Sequence, residues 1–292
     1  MQPIRTRFLS SRSPWAPGLL LIGVCAAAGQ EAPSPADQTL VRTEGPRDLL
    51  PLASALRNGW REQSEDMELS LGAGLSEKAR LDALAGGAID VAFAGHGLDL
   101  ADVAARGMTA HRIGVTAVVL AVHADVTVLD LKPEDVCDIF SGRVMNWAAY
   151  GGADLSIRPV LRPDPEPDVE VLRAAIPCMA RLTPGKTVTV ARTASDMRAA
   201  LQGTSGAIGV TTLAAVRQSI VALRSLSIAS VAPSPANVLS GRYPLARPVW
   251  LVTLSPPPRS VGPFLAFVAS DRGAAALAEA GALPIRPNQP YR

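Results

Sequence analysis

The run from Arg162 to Asp168 contains the side chains best suited to meet a charged ligand. It reads Arg-Pro-Asp-Pro-Glu-Pro-Asp, so one guanidinium is followed by three carboxylic acids at alternate positions. Arg162 either faces a ligand anion or forms a salt bridge with Asp164, and the sequence leaves both open. The three prolines remove three backbone N–H donors. The loop therefore offers a cation and few donors, and each carboxylate repels an anion by roughly 1 to 4 kcal/mol.

Three further loops carry candidate ligand groups. A loop around Thr43 precedes the first predicted helix, the turn Gly72-Ala73-Gly74 lies close to Ser76, and His96 follows an apolar strand. A plain strand-to-helix turn explains the glycines equally well, and a satisfied surface or hinge histidine would explain His96.

Other side-chain patterns exclude several functional classes. His111, and His123 with Asp125, lack the spacing of a metal site. No Ser-His-Asp order, paired-cysteine motif or phosphate loop is present. The chain has no basic run of the kind that binds nucleic acid. We therefore expect a protein that is not an enzyme, with no catalytic residue, metal or cofactor and no nucleic-acid partner.

Alternating helix and strand patterns must position these loops. Helices are predicted at 49–60, 78–85, 131–141, 169–182 and 195–202, the last capped by Ser195. Strands are predicted at 67–71, 89–94, 111–122, 157–161 and 187–191. This order favours an α/β fold with mixed, mostly parallel sheets and helices on their faces. Asp168 is also a good candidate for the N-cap of the helix that follows it.

The strand at 111–122 is long enough to leave one domain and enter another, and residues 206–210 resemble a return crossing. We therefore predict a first, discontinuous lobe at 40–117 plus 209–292 and a second lobe at 118–208. Two crossings make a hinge, and ligands favour the cleft between domains. The expected fold class is a two-lobed α/β fold with a two-crossing hinge.

The N-terminus has the charged, apolar and small-residue order of a secretory signal peptide. Arginines precede an apolar stretch at 16–24, which is shorter than the roughly 20 residues that span a bilayer. We predict a cleaved signal peptide at 1–28 and a polar linker at 29–39. The mature protein should then be periplasmic, without a membrane span and monomeric.

Cleavage would remove Cys25 and leave Cys137 and Cys178 in an oxidising compartment. Two such cysteines either pair or remain as buried thiols on separate helices. A bridge would contribute roughly 4 kcal/mol in the chain-entropy model. The sequence does not decide between these alternatives.

Residues 138–147 read Asp-Ile-Phe-Ser-Gly-Arg-Val-Met-Asn-Trp, which predicts a helix closed by Gly142 and a turn that buries Trp147. This segment resembles the IFSGK-x-x-NW signature of the PstS-like periplasmic phosphate-binding proteins. Tyr-Pro-Leu-Ala-Arg-Pro at 243–248 and Gly-Ala-Leu-Pro at 281–284 resemble the family's YPL-x-RP and G-x-LP motifs, in the same order. The resemblance covers about residues 40–287 and implies a type II solute-binding fold. For Arg247, within the second motif, we favour structural pairing over ligand contact.

The loops depart from the phosphate pattern that the resemblance implies. By the positions of the family's ligand loops, and with the alternatives above left open, the resemblance implies that the ligand-binding residues are Thr43, Gly45, Gly74, Ser76, His96, Arg162 and Asp164. In the family, a Ser-Gly-Thr nest follows an arginine and an aspartate, to which Arg162 and Asp164 correspond. Here Glu166, Pro167 and Asp168 replace the nest. Gly95 stands where the family has a proton-accepting aspartate. We therefore expect phosphate to bind weakly or not at all.

Two functions remain. The resemblance implies the solute-capture component of an ABC-type uptake or sensing system, with a small anionic or polar ligand and an ABC permease as partners. The alternative is a non-transport periplasmic interaction or scaffold protein that keeps the fold without the ligand.

Overall fold

The computed structural model describes residues 39–63, 67–220 and 222–285. The predicted signal peptide and all but the last residue of the predicted linker lie outside these ranges. Within them, no helix combines the length and apolarity needed to cross a bilayer.

Short strands and helices alternate along the chain. The strands are β1 (Thr39–Gly45), β2 (Met67–Ala73), β3 (Val91–Ala94), β4 (Met108–Val122), β5 (Asp130–Leu131), β6 (Arg158–Leu161), β7 (Thr189–Val190), β8 (Ala207–Thr212), β9 (Arg224–Ser225), β10 (Ser227–Ile228), β11 (Ala246–Leu254) and β12 (Leu283–Pro284). The α-helices are α1 (Leu50–Arg61), α2 (Glu77–Ala85), α3 (Leu100–Ala105), α4 (Pro133–Ser141), α5 (Pro167–Ala175), α6 (Ala194–Gly203), α7 (Leu213–Arg217), α8 (Pro235–Leu239), α9 (Val261–Val268) and α10 (Asp271–Glu279). Single 3-10 turns occupy Arg47–Leu49, Trp147–Tyr150 and Pro177–Met179.

The main sheet has the strand order β2-β1-β3-β11-β4-β8-β6-β7. The pairs of β1 with β2 and β3, and of β6 with β7 and β8, are parallel, whereas β11 and β4 run antiparallel to their neighbours. The predicted two-lobed α/β fold is confirmed.

Strand β4 belongs to both lobes. Its residues 108–117 pair with β11 and its residues 118–122 pair with β8, so the ladder continues through one shared strand. Every residue from Val115 to Val122 except Thr116 is an apolar residue with at most 4% of its surface exposed, which explains the unbroken apolar run in the sequence. A strand that is buried on both faces carries apolar residues on both, so its sequence does not alternate between apolar and polar residues.

Separate hydrophobic cores hold the two ends of the sheet. Val41, Phe93 and Phe264 belong to the core of the first lobe, which is built on β1, β3 and α9. Phe140 and Trp147 belong to the core of the second lobe, built on α4 and on β6 to β8. Five residues after the return crossing, placed by the sequence in the first lobe, also pack in this second core: Leu226, Ile228, Val238, Tyr243 and Leu245. The lobe boundaries themselves stay a prediction.

The turn after α4 ties the second lobe to the return crossing. Gly142 ends α4 with φ 78°, a left-handed conformation that glycine adopts without strain. Trp147 is fully buried, and its indole Nε1 donates to the carbonyl of Gly206 at 3.0 Å. Gly206 lies immediately before β8, so the aromatic of the motif anchors the second crossing.

Cys137 and Cys178 form a disulfide, which decides the alternative that the sequence left open. The expected helix at 169–182 is wrong at its C-terminal end, because α5 stops at Ala175 and Pro177 begins a separate 3-10 turn. The expected cap of α6 is also wrong. Thr193, rather than Ser195, accepts from the backbone N–H of Asp196 at 3.0 Å.

Candidate functional site

A cavity of about 680 Å³ lies in the cleft between the lobes. The first lobe contributes the 3-10 turn before α1, the start of β11 and the C-terminal turn of α10. The second lobe contributes the N-termini of α5 and α6, and α7 follows the return crossing. The charged side chains that line this cleft cavity are Arg47, Asp48, Arg162, Glu166, Asp168, Arg198, Arg247 and Glu279. Another cavity, of about 820 Å³, is lined by α1 and α10 alone and draws nothing from the second lobe.

Arg247, on β11, lines the cleft cavity with a buried side chain. Only 4% of the residue is exposed, and its Nη1 lies 2.7 Å from Asp48 Oδ2. Its Nε donates to Thr116 Oγ1 at 3.2 Å, which ties it to β4. The predicted structural pairing at the strand end is thus present, and the same guanidinium also lines the cavity.

Arg162 lines the cavity from the second lobe, next to β6. Its Nη2 lies 2.7 Å from Glu166 Oε2, an ion pair formed within the irregular loop that precedes α5. The alternative pair of Arg162 with Asp164 does not form. Asp164 points away and binds Arg173 through two hydrogen bonds, at 3.1 and 3.0 Å. The arginine expected to meet a ligand anion therefore already holds a carboxylate.

Asp168 stands in the first turn of α5, not at its N-cap. Glu166 occupies the N-cap position, without a side-chain capping bond, so the predicted capping role of Asp168 is wrong. Burial raises the pKa of the Asp168 carboxyl; attraction to Arg247 and Arg162 lowers it, whereas Asp48 and Glu166 raise it further. Charged groups of both lobes therefore influence the pKa of Asp168.

The charges of the cleft cavity nearly balance. Four arginines face four carboxylic acids, and two of the arginines are paired within the cavity. Arg47 and Arg198 are exposed and have no ion-pair partner within the described residues. Such a lining suits a small polar or singly charged ligand better than a compact dianion, since a dianion needs uncompensated donors.

The remaining predicted site residues lie elsewhere. Thr43 is buried and donates to the carbonyl of Ser70 at 2.6 Å. A Cβ on Gly45 would lie 3.0 Å from Phe93 Cβ, so this glycine permits close packing. Ser76 caps α2 by accepting from Ala79 N at 3.3 Å, and His96 is exposed. None of these lines the cleft cavity, and Arg162 does; their ligand roles stay predictions.

A carboxylate occupies the predicted glycine-rich loop of the first lobe. Glu44 Oε1 accepts from the backbone N–H of Leu75 at 3.2 Å. Its other carboxylate oxygen lies where a Cβ on Gly72 would be, so only glycine leaves room for it. Gly74 has φ +141°, a conformation that L-residues rarely adopt. The glycines of this loop therefore accommodate a side chain of the same protein.

Sequence reasoning missed most of the charged cleft residues. Asp48, Arg198 and Glu279 stand in helices whose patterns indicate only an exposed face. One signal was available: Arg247 is a charged residue at the start of a strand with buried neighbours. Among the described residues, no group of three His, Cys, Asp or Glu side chains could hold a metal.

Comparisons with known proteins agree with this architecture. A model of the PBP superfamily domain matches residues 30–272. The phosphate-binding protein PstS of Bacillus subtilis (strain 168) is 26% identical over 245 residues, which cover 78% of this chain and 77% of that protein.

Solved structures show the same fold at lower identity. The crystal structure of PstS from Borrelia burgdorferi has a TM-score of 0.66 and 19% identity, covering 85% of this chain and 100% of that chain. An ABC-type phosphate transport receptor from Vibrio cholerae has a TM-score of 0.67 and 19% identity, covering 83% and 99%. At this identity the two structures support the fold alone.

Proposed function

Because this chain belongs to the PBP superfamily, we propose that it is an exported solute-binding protein whose cleft closes on a small polar or anionic ligand. The observation that carries the proposal is the cleft cavity, since both lobes line it and a hinge motion would enclose it. The named relatives are phosphate-binding or phosphate transport proteins, which supports solute capture for an ABC permease as the role. The predicted signal peptide supports a periplasmic location, and we expect a monomer.

We further propose that orthophosphate is not the preferred ligand. Both candidate anion loops hold carboxylates: Glu44 in the first lobe, Glu166 and Asp168 in the second. At separations of a few ångströms each would repel a dianion by roughly 1 to 4 kcal/mol. Arg47 and Arg198 remain as cations from opposite lobes, so a ligand larger than phosphate with a separated acidic group suits the cavity better.

A thermal-shift screen of the mature protein tests the solute-binding role. A ligand at 100 times its dissociation constant stabilises the native state by about 2.7 kcal/mol. We expect a shift with at least one small carboxylate or amino-acid-like compound, and loss of that shift in Arg198→Ala. Arg192→Ala is the matched control, because Arg192 is an exposed arginine close by that does not line the cavity.

The second candidate function is a non-transport interaction protein that retains the fold. The Glu44 contact favours it, because a loop closed by its own side chain needs no ligand to be complete. No shift with any compound of a broad small-molecule set would support this alternative over solute capture.

A further inference from the structure

The cleft cavity contains a carboxyl group that is partly buried and has no partner. Asp168, in the first turn of α5, lines the cavity, and it makes no hydrogen bond or ion pair with any residue that the structure describes. Two other acids of the lining are paired, since Glu166 binds Arg162 and Asp48 binds Arg247. The Asp168 carboxyl is therefore available to a ligand.

The charges around Asp168 leave its own charge uncompensated. Burial is the largest influence and raises the pKa of Asp168, while Arg247 and Arg162 attract the carboxylate and Asp48 and Glu166 repel it. These two attractions and two repulsions oppose each other, because each arginine is bound by one of the acids. Buried charges in proteins are normally paired. The inner part of the cavity thus has one net negative charge and no cation to meet it.

The outer part of the same cavity has the opposite charge. Arg47 and Arg198 line the cavity, are exposed and lack an ion-pair partner among the described residues. Glu279, the remaining acid of the lining, is also exposed, so these three groups leave one net positive charge. A negative group inside and a positive charge outside are complementary to a molecule with one cation and one anion. A compact oxyanion would have no group to offer Asp168.

We propose that the ligand of the cleft cavity is a zwitterion of the amino-acid class, whose ammonium group binds Asp168 and whose carboxylate binds Arg198. The inference rests on the proposed function, because it names the ligand class of the same cavity. An ammonium group has three N–H donors and no acceptor, so an ionised carboxylate suits it. The volume of about 680 Å³ is ordinary for a small-molecule site and leaves room for a ligand side chain.

Isothermal titration of the mature protein, freed of bound ligand, tests this ligand class. The probes are the proteinogenic L-amino acids and carboxylates that lack the amino group, with propionate matched to alanine and glutarate matched to glutamate. We expect at least one amino acid to bind. Its deaminated counterpart should bind at least about tenfold more weakly, because it cannot donate to Asp168.

A charge-removing variant assigns the ammonium contact to Asp168. Asp168→Asn keeps the shape of the side chain, and we expect at least about tenfold weaker binding of the same amino acid. Glu170→Gln is the matched control, since Glu170 is exposed in the same turn of α5 and does not line the cavity. The affinity of this control should change by less than about threefold.

The outcomes separate the ligand class from the solute-binding role. Unchanged affinity in Asp168→Asn would overturn the proposal, because it would show that Asp168 acts as a neutral donor that an amide replaces. Equal binding of an amino acid and its deaminated counterpart would also overturn it, and this comparison needs no variant to fold. Binding of carboxylates but of no amino acid would overturn the zwitterion and leave the solute-binding role standing. Binding of no compound at all would overturn both.

Discussion

The two candidate anion loops, at residues 72–74 in the first lobe and 162–168 in the second, both hold a carboxylate of the same chain. They differ in whether their backbone donors remain. In the first lobe, the glycine loop keeps its backbone donors, and Glu44 from the neighbouring strand occupies one of them. In the second lobe, prolines remove the donors themselves, and Glu166 occupies Arg162. The first loop therefore keeps backbone donors that the second loop has lost. The second needs backbone donors restored as well as carboxylates removed, so repair of one loop should fall short of a complete site.

Covalent anchoring also differs between the loops. The Cys137–Cys178 disulfide joins α4 to the turn that follows α5, and it closes a loop of 41 residues in the second lobe. The described part of the first lobe has no cysteine. The proline run of the second lobe thus precedes a helix whose far end is fixed to its neighbour.

Removal of the disulfide should have the largest effect on stability. Cys137→Ala with Cys178→Ala frees the unfolded chain, and we expect the free energy of unfolding to fall by about 4 kcal/mol in the chain-entropy model. Urea denaturation of the oxidised mature protein measures this. A loss below about 1 kcal/mol would show that the second lobe does not depend on the disulfide for its stability. It would contradict the proposed difference in covalent anchoring between the two lobes.

Replacement of Arg247 tests how much one buried guanidinium in the cleft contributes to stability. Arg247→Leu leaves Asp48 without its partner and removes an attraction felt by Asp168. We expect a loss of about 2 kcal/mol in unfolding free energy, because the buried Thr116 hydroxyl loses its donor and the exposed Asp48 loses its ion-pair partner. Arg143→Leu breaks an exposed pair with Asp138 and should cost at most about 1 kcal/mol. Equal losses in the two variants would contradict the role of Arg247.

The smallest expected effect concerns Asp168 and depends on pH. Its folded pKa is raised by burial, so its contribution to stability is full below the unfolded pKa and is lost as pH rises through the folded pKa. Asp168→Asn should therefore raise the melting temperature at pH 7 and change it little at pH 4. Glu170→Gln, exposed in the same turn, is the control. A larger gain at pH 4 than at pH 7 would contradict this sign.

Local patterns predicted the fold more completely than the site. The helix closed by Gly142, the buried Trp147 and the long strand β4 follow from glycine chemistry and apolar runs, which are local signals. The predicted cap of α6 and the predicted end of α5 were wrong, because Thr193 caps α6 and Pro177 starts a separate turn after α5. At α6, the sequence pattern assigned the cap to Ser195, whereas the observed cap lies two residues earlier, at Thr193.

Ion-pair partners were beyond sequence reasoning because they depend on the packing of distant segments. Arg247 and Asp48 are far apart in the chain, and Glu44 meets Leu75 through the register of β1 on β2. The pair of Arg162 with Glu166 forms across an irregular loop before α5, where no helical spacing predicts which side chains meet. Its competitor Asp164 was instead taken by Arg173, which follows it by nine residues.

Isothermal titration of inorganic phosphate into the mature protein, freed of bound ligand, tests the central claim most directly. With carboxylates in both loops, we expect no measurable heat or a dissociation constant in the millimolar range, about 4 kcal/mol of binding free energy. A micromolar or tighter constant at neutral pH would contradict the account. It would mean that Glu44 and Glu166 leave their positions when phosphate arrives, and that Arg162 is then free to bind it.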